Sequence, residues 1–107
     1  MLYDPQWQVS ETAGMLMAAR RLIEDKENWC GRGWGRDGRM CVLHALSMVS
    51  SSTGYGYNDV HQGAYRALDV ICGDAGGVGD FNDSHSHAEV LALIDRAIEM
   101  ERAKGGI

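Results

Sequence analysis

The chain has 107 residues, enough to bury one core without obligatory disulfides or metal and too few for two. Hydrophobic residues make up 45% of it and charged residues 23%, the balance of a globular domain, while 14 glycines against 1 proline point to loops with special backbone geometry. A formal net charge of −5 excludes non-specific duplex binding, which needs surplus cations to displace phosphate counterions, and no run approaches the roughly 20 apolar residues that span a bilayer.

No cationic region followed by an apolar run opens the chain, and three cysteines are an odd number. The expectation is one domain over residues 1–107, cytoplasmic, with reduced thiols. In chain order, Met15, Leu16, Ala19, Leu22 and Ile23 recur at helical spacing between Ser10 and Glu27, with Ser10 placed to cap, which predicts an amphipathic helix. Residues 28–39 follow as a loop of two Trp, three Arg and four Gly, in which Asp37-Gly38 is a turn signal for a short hairpin over Gly33 to Cys41. Met40 to Ser50 carries Leu43, Leu46 and Val49 in helical register and predicts a short buried helix.

Ser50 to Tyr57 is polar and glycine-broken, hence a loop, after which Asn58 or Asp59 caps a third helix running to about Cys72 with Val60, Ala64, Ala67, Leu68 and Ile71 inward. Gly73 to Asp80 holds four glycines in eight residues and is predicted not to be helical. A last helix is predicted from about Ser84 to Lys104, capped by Asn82 or Asp83, with Val90, Leu91, Ile94, Ala97 and Ile98 inward and Gly105-Gly106 ending it. These elements make the fold all-α, a small four-helix bundle-like domain with glycine-rich loops, with the hairpin near 33–41 as its one β element.

Two clusters carry chemistry. Cys30, Cys41 and His44 have the donor types for Zn²⁺, and a Cys-x-x-His step puts two of them on one helical turn; a fourth ligand would come from His61, Cys72, His85 or His87. The spacing is not that of a standard finger, and the simpler reading is two small buried cysteines, with Cys30 anchoring the loop against the start of the second helix. A Cys30–Cys41 disulfide is disfavoured in a reducing compartment. The stretch Asp80 to His87 gathers Asp83, His85 and His87 at a helix mouth, where they can bind a metal or do acid/base work. As a calcium loop it fails, with His85 and Leu91 where glycine and a bidentate Glu are needed, and capping with Phe81 as a hydrophobic staple is the simpler account. The glycine run 73–79 lacks the Gly-Lys-Ser/Thr end of a phosphate loop, so no cofactor is expected.

The loop residues Trp29, Arg32, Trp34, Arg36 and Arg39, extended by the glycine-flanked Tyr55 and Tyr57, have the residue types of protein-interface hot spots and of anion clamps. The bland account has Trp29 capping the core beneath the first helix and the arginines paired with Asp74, Asp80 or Asp83; it suits Trp29 better than Trp34, which lies between glycines.

Trp29-Cys30-Gly31, then Asp37-x-x-Met40-Cys41-x-Leu43-x-Ala45-Leu46, then Phe81-Asn82-Asp83 leading into His87 to Ile98, resembles a family of small bacterial and phage proteins known only as a domain of unknown function. The likeness runs from about Gly14 onward and is strongest over Phe81 to Ile98. Members carry glycine where this chain has His44, which detaches that histidine from any shared role. The resemblance implies the domain and its motif positions, and occurrence in phages implies a host-directed or anti-defence binding role. The sequence thus points to a non-enzymatic protein that binds a protein partner, or a second copy of itself as a homodimer, through the Trp/Arg/Gly loop. The alternative is a metal-dependent enzyme, or a protein binding a small anionic ligand such as a nucleotide, using the Cys/His/Asp cluster.

Overall fold

The computed structural model describes residues 11–31, 38–53, 59–73 and 77–104. Among them lie five α-helices: α1 (Glu11–Ile23), α2 (Val42–Thr53), α3 (Asp59–Cys72), α4 (Gly77–Ser84) and α5 (His87–Lys104), with a 3-10 turn at Lys26–Asn28 after α1. No sheet forms among the described residues, and the fold is a helical bundle. The predicted hairpin falls mostly outside them; its described end holds Gly38 at φ +81° and an isolated parallel bridge between Trp29 and Met40. No helix among the described residues is long and apolar enough to cross a membrane.

The 3.6-residue period explains which faces meet. Met15, Leu16, Ala19 and Ile23 form one stripe of α1, and that stripe packs on α2, α3 and α5. Val42, Ala45, Leu46 and Val49 of α2, Ala64, Ala67 and Leu68 of α3, and Val90, Leu93, Ile94, Ala97 and Ile98 of α5 complete a single core cluster. Leu16, Leu46 and Leu68 have no exposed surface, so each contributes on the order of 1.5–3 kcal/mol of transfer free energy. At the rim, Arg20 of α1 bridges to Asp95 of α5 at 2.6 Å and to Glu24 at 3.1 Å, a partly exposed arrangement that orients the two helices more than it stabilises them.

Four boundaries differ from the sequence expectation. Helix α1 ends at Ile23, short of Glu27, and a 3-10 turn follows it. Helix α2 continues to Thr53, past Ser50, where the sequence predicts a loop to begin. The glycine-rich segment predicted to be non-helical forms α4, because the contacts that start and bury it come from elsewhere. Asp69, near the end of α3, accepts the Val78 N–H at 2.9 Å and so caps α4 across space. Gly77 fits this junction on two counts: its φ is +77°, and a Cβ there would stand 2.9 Å from Asp69 Oδ1. Val78 and Asn82, four residues apart, then turn inward together. Finally α5 begins at His87 and is capped neither by Asn82 nor by Asp83. Ser86 Oγ accepts the Glu89 N–H at 3.2 Å while Glu89 Oε1 accepts the Ser86 N–H at 2.9 Å, a reciprocal capping box.

Candidate binding site between the 3-10 turn and α2

The chain leaves α1 through the turn Lys26–Asn28, started by Asp25, whose carboxylate accepts the Glu27 N–H at 3.2 Å. It then runs beside the residues that enter α2. Met40 N–H donates to Asn28 C=O at 2.8 Å and Cys30 N–H donates to Met40 C=O at 2.9 Å, one step of a parallel ladder. The next rung of such a ladder would join Val42 N–H to Cys30 C=O. The Asn82 carboxamide stands in its place, Oδ1 accepting Val42 N–H at 3.2 Å and Nδ2 donating to Cys30 C=O at 2.9 Å.

Asn82 is 1% exposed and uses its whole hydrogen-bonding capacity, since Oδ1 also accepts the Trp29 indole N–H at 2.9 Å and Nδ2 also donates to Asp83 at 3.3 Å. Its partners fix the amide orientation, because a backbone N–H can only donate and a carbonyl only accept. One buried side chain of α4 thereby joins the first N–H of α2, the backbone at Cys30 and the ring of Trp29. On its other side the indole meets the His87 ring at 5.3 Å between centroids. His87 Nε2 lies 2.6 Å from Ile23 C=O, so that nitrogen carries the proton and satisfies a carbonyl left over at the end of α1. Gly31 closes over the benzo edge of the indole, where a Cβ would come within 2.8 Å of Cη2. Trp29 is therefore half-buried and fixed on several sides.

An open cleft of about 400 Å³ lies against this assembly, walled by Lys26, Trp29, Cys30, Gly31 and Arg39. Among the described residues, neither Lys26 nor Arg39 pairs with a carboxylate, although both are exposed on a chain of net charge −5. A second cleft, of about 450 Å³ on α3, has Gln62, Tyr65, Arg66 and Asp69 in its wall, so its cation and carboxylate offset one another.

The remaining candidates separate as follows. Arg32, Trp34, Arg36, Tyr55 and Tyr57 lie outside the described residues, as do Asp74 and the side chain of His61. Cys41 is 5% exposed; its Sγ accepts the His44 N–H at 3.3 Å, making it the N-cap of α2. Burial pushes its thiol pKa up, against the lowering effect of backbone hydrogen bonds from His44 and Leu43. His85 stacks on Phe81 at 3.7 Å and its Nδ1 lies 3.0 Å from both Phe81 C=O and Ser84 Oγ; Phe81 sits inside α4, packed against the core, and not at the residue before the α5 cap where a staple belongs. Asp83 is exposed beside Asn82. Among the described residues no three His, Cys, Asp or Glu side chains converge to hold a metal ion, which leaves the Cys30/Cys41/His44 and Asp83/His85/His87 groupings unassembled there.

Sequence reading missed two members of the site. Lys26 carries no local signal that sets it apart from other polar residues after a helix. Asn82 reads in sequence as a cap of α5, although its position one helical turn from Val78 is a signal that it faces inward.

A chain of this kind, a small helical bundle with one buried amide knotting a Trp-Cys-Gly segment to a helix start, can be placed by comparison with protein families. Residues 8–100 match the model of a family of unknown function, DUF6197, and the chain belongs to that family. No curated protein and no solved structure matches it.

Proposed function

We propose that this protein is a non-catalytic binding module that takes an acidic segment of a protein partner against the face formed by Lys26, Trp29–Gly31 and Arg39. The observation that carries the reading is the pair of cations on one cleft wall, without carboxylate partners among the described residues, above a backbone held rigid by Asn82. Unpaired cations over a preorganised surface favour anionic partners and accelerate their encounter. In sequence, residues 32–37 join Gly31 to Gly38 and carry Arg32, Trp34 and Arg36, residue types common at interface hot spots. The reading extends to a cytoplasmic setting and, from the likeness to bacterial and phage proteins, to a host-directed or anti-defence role; a second copy of the chain is the other protein occupant to test.

The test uses a fluorescent polyglutamate peptide as probe, with native mass spectrometry of the same samples for dimers. Wild type is expected to bind it in a salt-dependent manner, and Lys26→Glu with Arg39→Glu to weaken binding by about tenfold or more, the scale of a 1.4 kcal/mol change, with the thermal midpoint nearly unchanged. Equal binding by wild type and the double variant, or binding by neither, rules the reading out. ATP competing for the probe with greater affinity than the peptide would replace the acidic segment with a nucleotide.

A further inference from the structure

We propose that Cys30 and Cys41 form a reversible disulfide, a thiol-redox site that closes residues 31–40 into a ring. The case rests on register. The bridge pairs Trp29 with Met40 in parallel, with hydrogen bonds of 2.8 and 2.9 Å on either side, so the residue after each, Cys30 and Cys41, are lateral neighbours. Paired strands run about 4.7–4.9 Å apart, within the roughly 4.4–6.8 Å between Cα atoms that a disulfide spans. On the far side of the cysteine pair the Asn82 amide replaces the direct rung between Cys30 C=O and Val42 N–H, so the backbones part after the cysteines while the direct Cys30 N–H to Met40 C=O bond of 2.9 Å holds them on the near side.

The two thiols differ in access. Cys30 is half-buried on the cleft wall, whereas Cys41 is buried at the start of α2, so an oxidant entering the cleft meets Cys30 first. With hydrogen peroxide, the Cys30 sulfur attacks one peroxide oxygen and the O–O bond breaks, giving a sulfenic acid and, with the thiol proton, water. The Cys41 sulfur then attacks the Cys30 sulfur; its proton leaves with the hydroxyl group as a second water and the S–S bond remains. One peroxide is reduced and two thiols are oxidised, and a dithiol reductant reverses the change. A transient disulfide of this kind belongs to reducing compartments, where persistent structural ones do not. The link itself does not depend on the binding function proposed above.

The full chain is treated with equimolar hydrogen peroxide, denatured, alkylated and cut with trypsin. Arg32, Arg36 and Arg39 lie between the two cysteines, so the peptides Glu27–Arg32 and Met40–Arg66 stay together only through sulfur, while Cys72 falls in Ala67–Arg96. The expected result is a fall from three alkylated cysteines to one, that one being Cys72, with the linked peptide pair present and lost on adding dithiothreitol. Cys72→Ser leaves the link intact, and Cys41→Ser abolishes it and leaves Cys30 open to trapping by a 1,3-dione; should Cys41→Ser fail to fold, the wild-type map still decides. Cys30 recovered as sulfinic acid or in an intermolecular disulfide with Cys41 still alkylated, a link to Cys72, or three alkylated cysteines after oxidation would each overturn the proposal. Because the map reads covalent chemistry and the peptide assay reads affinity, the site and the binding reading fail separately.

Discussion

The first residues of α4 and α5 lie ten positions apart, yet the two helices are started by opposite means. Helix α5 starts itself, with Ser86 and Glu89 exchanging hydrogen bonds within one exposed turn. Helix α4 is started by Asp69, a side chain of the preceding helix, and it returns the service by sending Asn82 to the first N–H of α2. A cap within one turn forms whenever that turn forms and couples nothing else. A cap supplied from another helix forms only when the bundle assembles, so it links helix starts to packing and makes the Trp29–Gly31 backbone part of the same cooperative unit. The physical difference is also one of solvent, because Asn82 is buried and water cannot replace it, whereas at Ser86 it can.

The widest gap between the two kinds of start should appear at Asn82. Asn82→Ala removes the partners of the Trp29 indole N–H, Val42 N–H and Cys30 C=O together, and each buried group left unsatisfied costs about 1–3 kcal/mol. A loss of at least about 3 kcal/mol in chemical denaturation is expected, accompanied by a shift in tryptophan emission. Asn82→Asp keeps the acceptor and loses the donor toward Cys30 C=O, burying a carboxylate against a carbonyl, and should not rescue. A loss below about 1 kcal/mol for Asn82→Ala would mean that water enters and the amide is no hub.

Asp69→Ala comes next, at about 1–2 kcal/mol, the range for a lost N-cap. Its signature is local: amide exchange should quicken in α4 and at Val42 before it does in α5, since α4 carries Asn82. Asp69→Asn keeps an acceptor oxygen and should recover most of the loss. Exchange that quickens equally in α4 and α5 would show that the two starts are not separable.

How much of this was legible in the sequence follows the same division. The apolar stripes of α1, α2, α3 and α5 were legible because a 3.6-residue period is local, and Leu16, Leu46, Leu68 and Ile94 are core residues for the reason the pattern implies. Helix α4 was not, because glycine propensity argued against it and the contacts that reverse the argument, Asp69 on Val78 and the burial of Val78 and Asn82, join residues brought together only by folding. The capping box of α5 is a case apart. Ser86-x-x-Glu89 is a readable local signal, but Asn82 and Asp83 offered equally good capping residues a few positions earlier, and only the folded chain shows that Asn82 is engaged elsewhere. At the candidate site, Trp29 and Arg39 were singled out by residue type, whereas the cleft between them depends on Lys26 and on the register set by the Trp29–Met40 bridge, which no spacing rule specifies.

The smallest effects belong to the self-started helix. Ser86→Ala is expected to cost about 1 kcal/mol and, unlike Asp69→Ala, to leave exchange in α4 untouched. Its partner gives a test by pH. The Glu89 carboxyl pKa lies below its ordinary value of 4.5 because it accepts hydrogen bonds from the Ser86 backbone and side chain, with nearby His85 acting in the same direction. A carboxyl whose pKa is lower in the folded state stabilises the fold above its unfolded value, and the contribution is lost as pH falls through the folded one. Lowering pH from neutrality to below 4.5 should therefore depress the thermal midpoint of wild type more steeply than that of Glu89→Gln, which keeps an acceptor oxygen for Ser86 N–H but has no proton to gain. Near neutral pH the two proteins should differ little, because Glu89 is fully exposed and its hydrogen bond competes with water. Parallel acid limbs for wild type and Glu89→Gln would show that the box contributes nothing through its charge, and the contrast with the buried knot at Asn82 would then be sharper still.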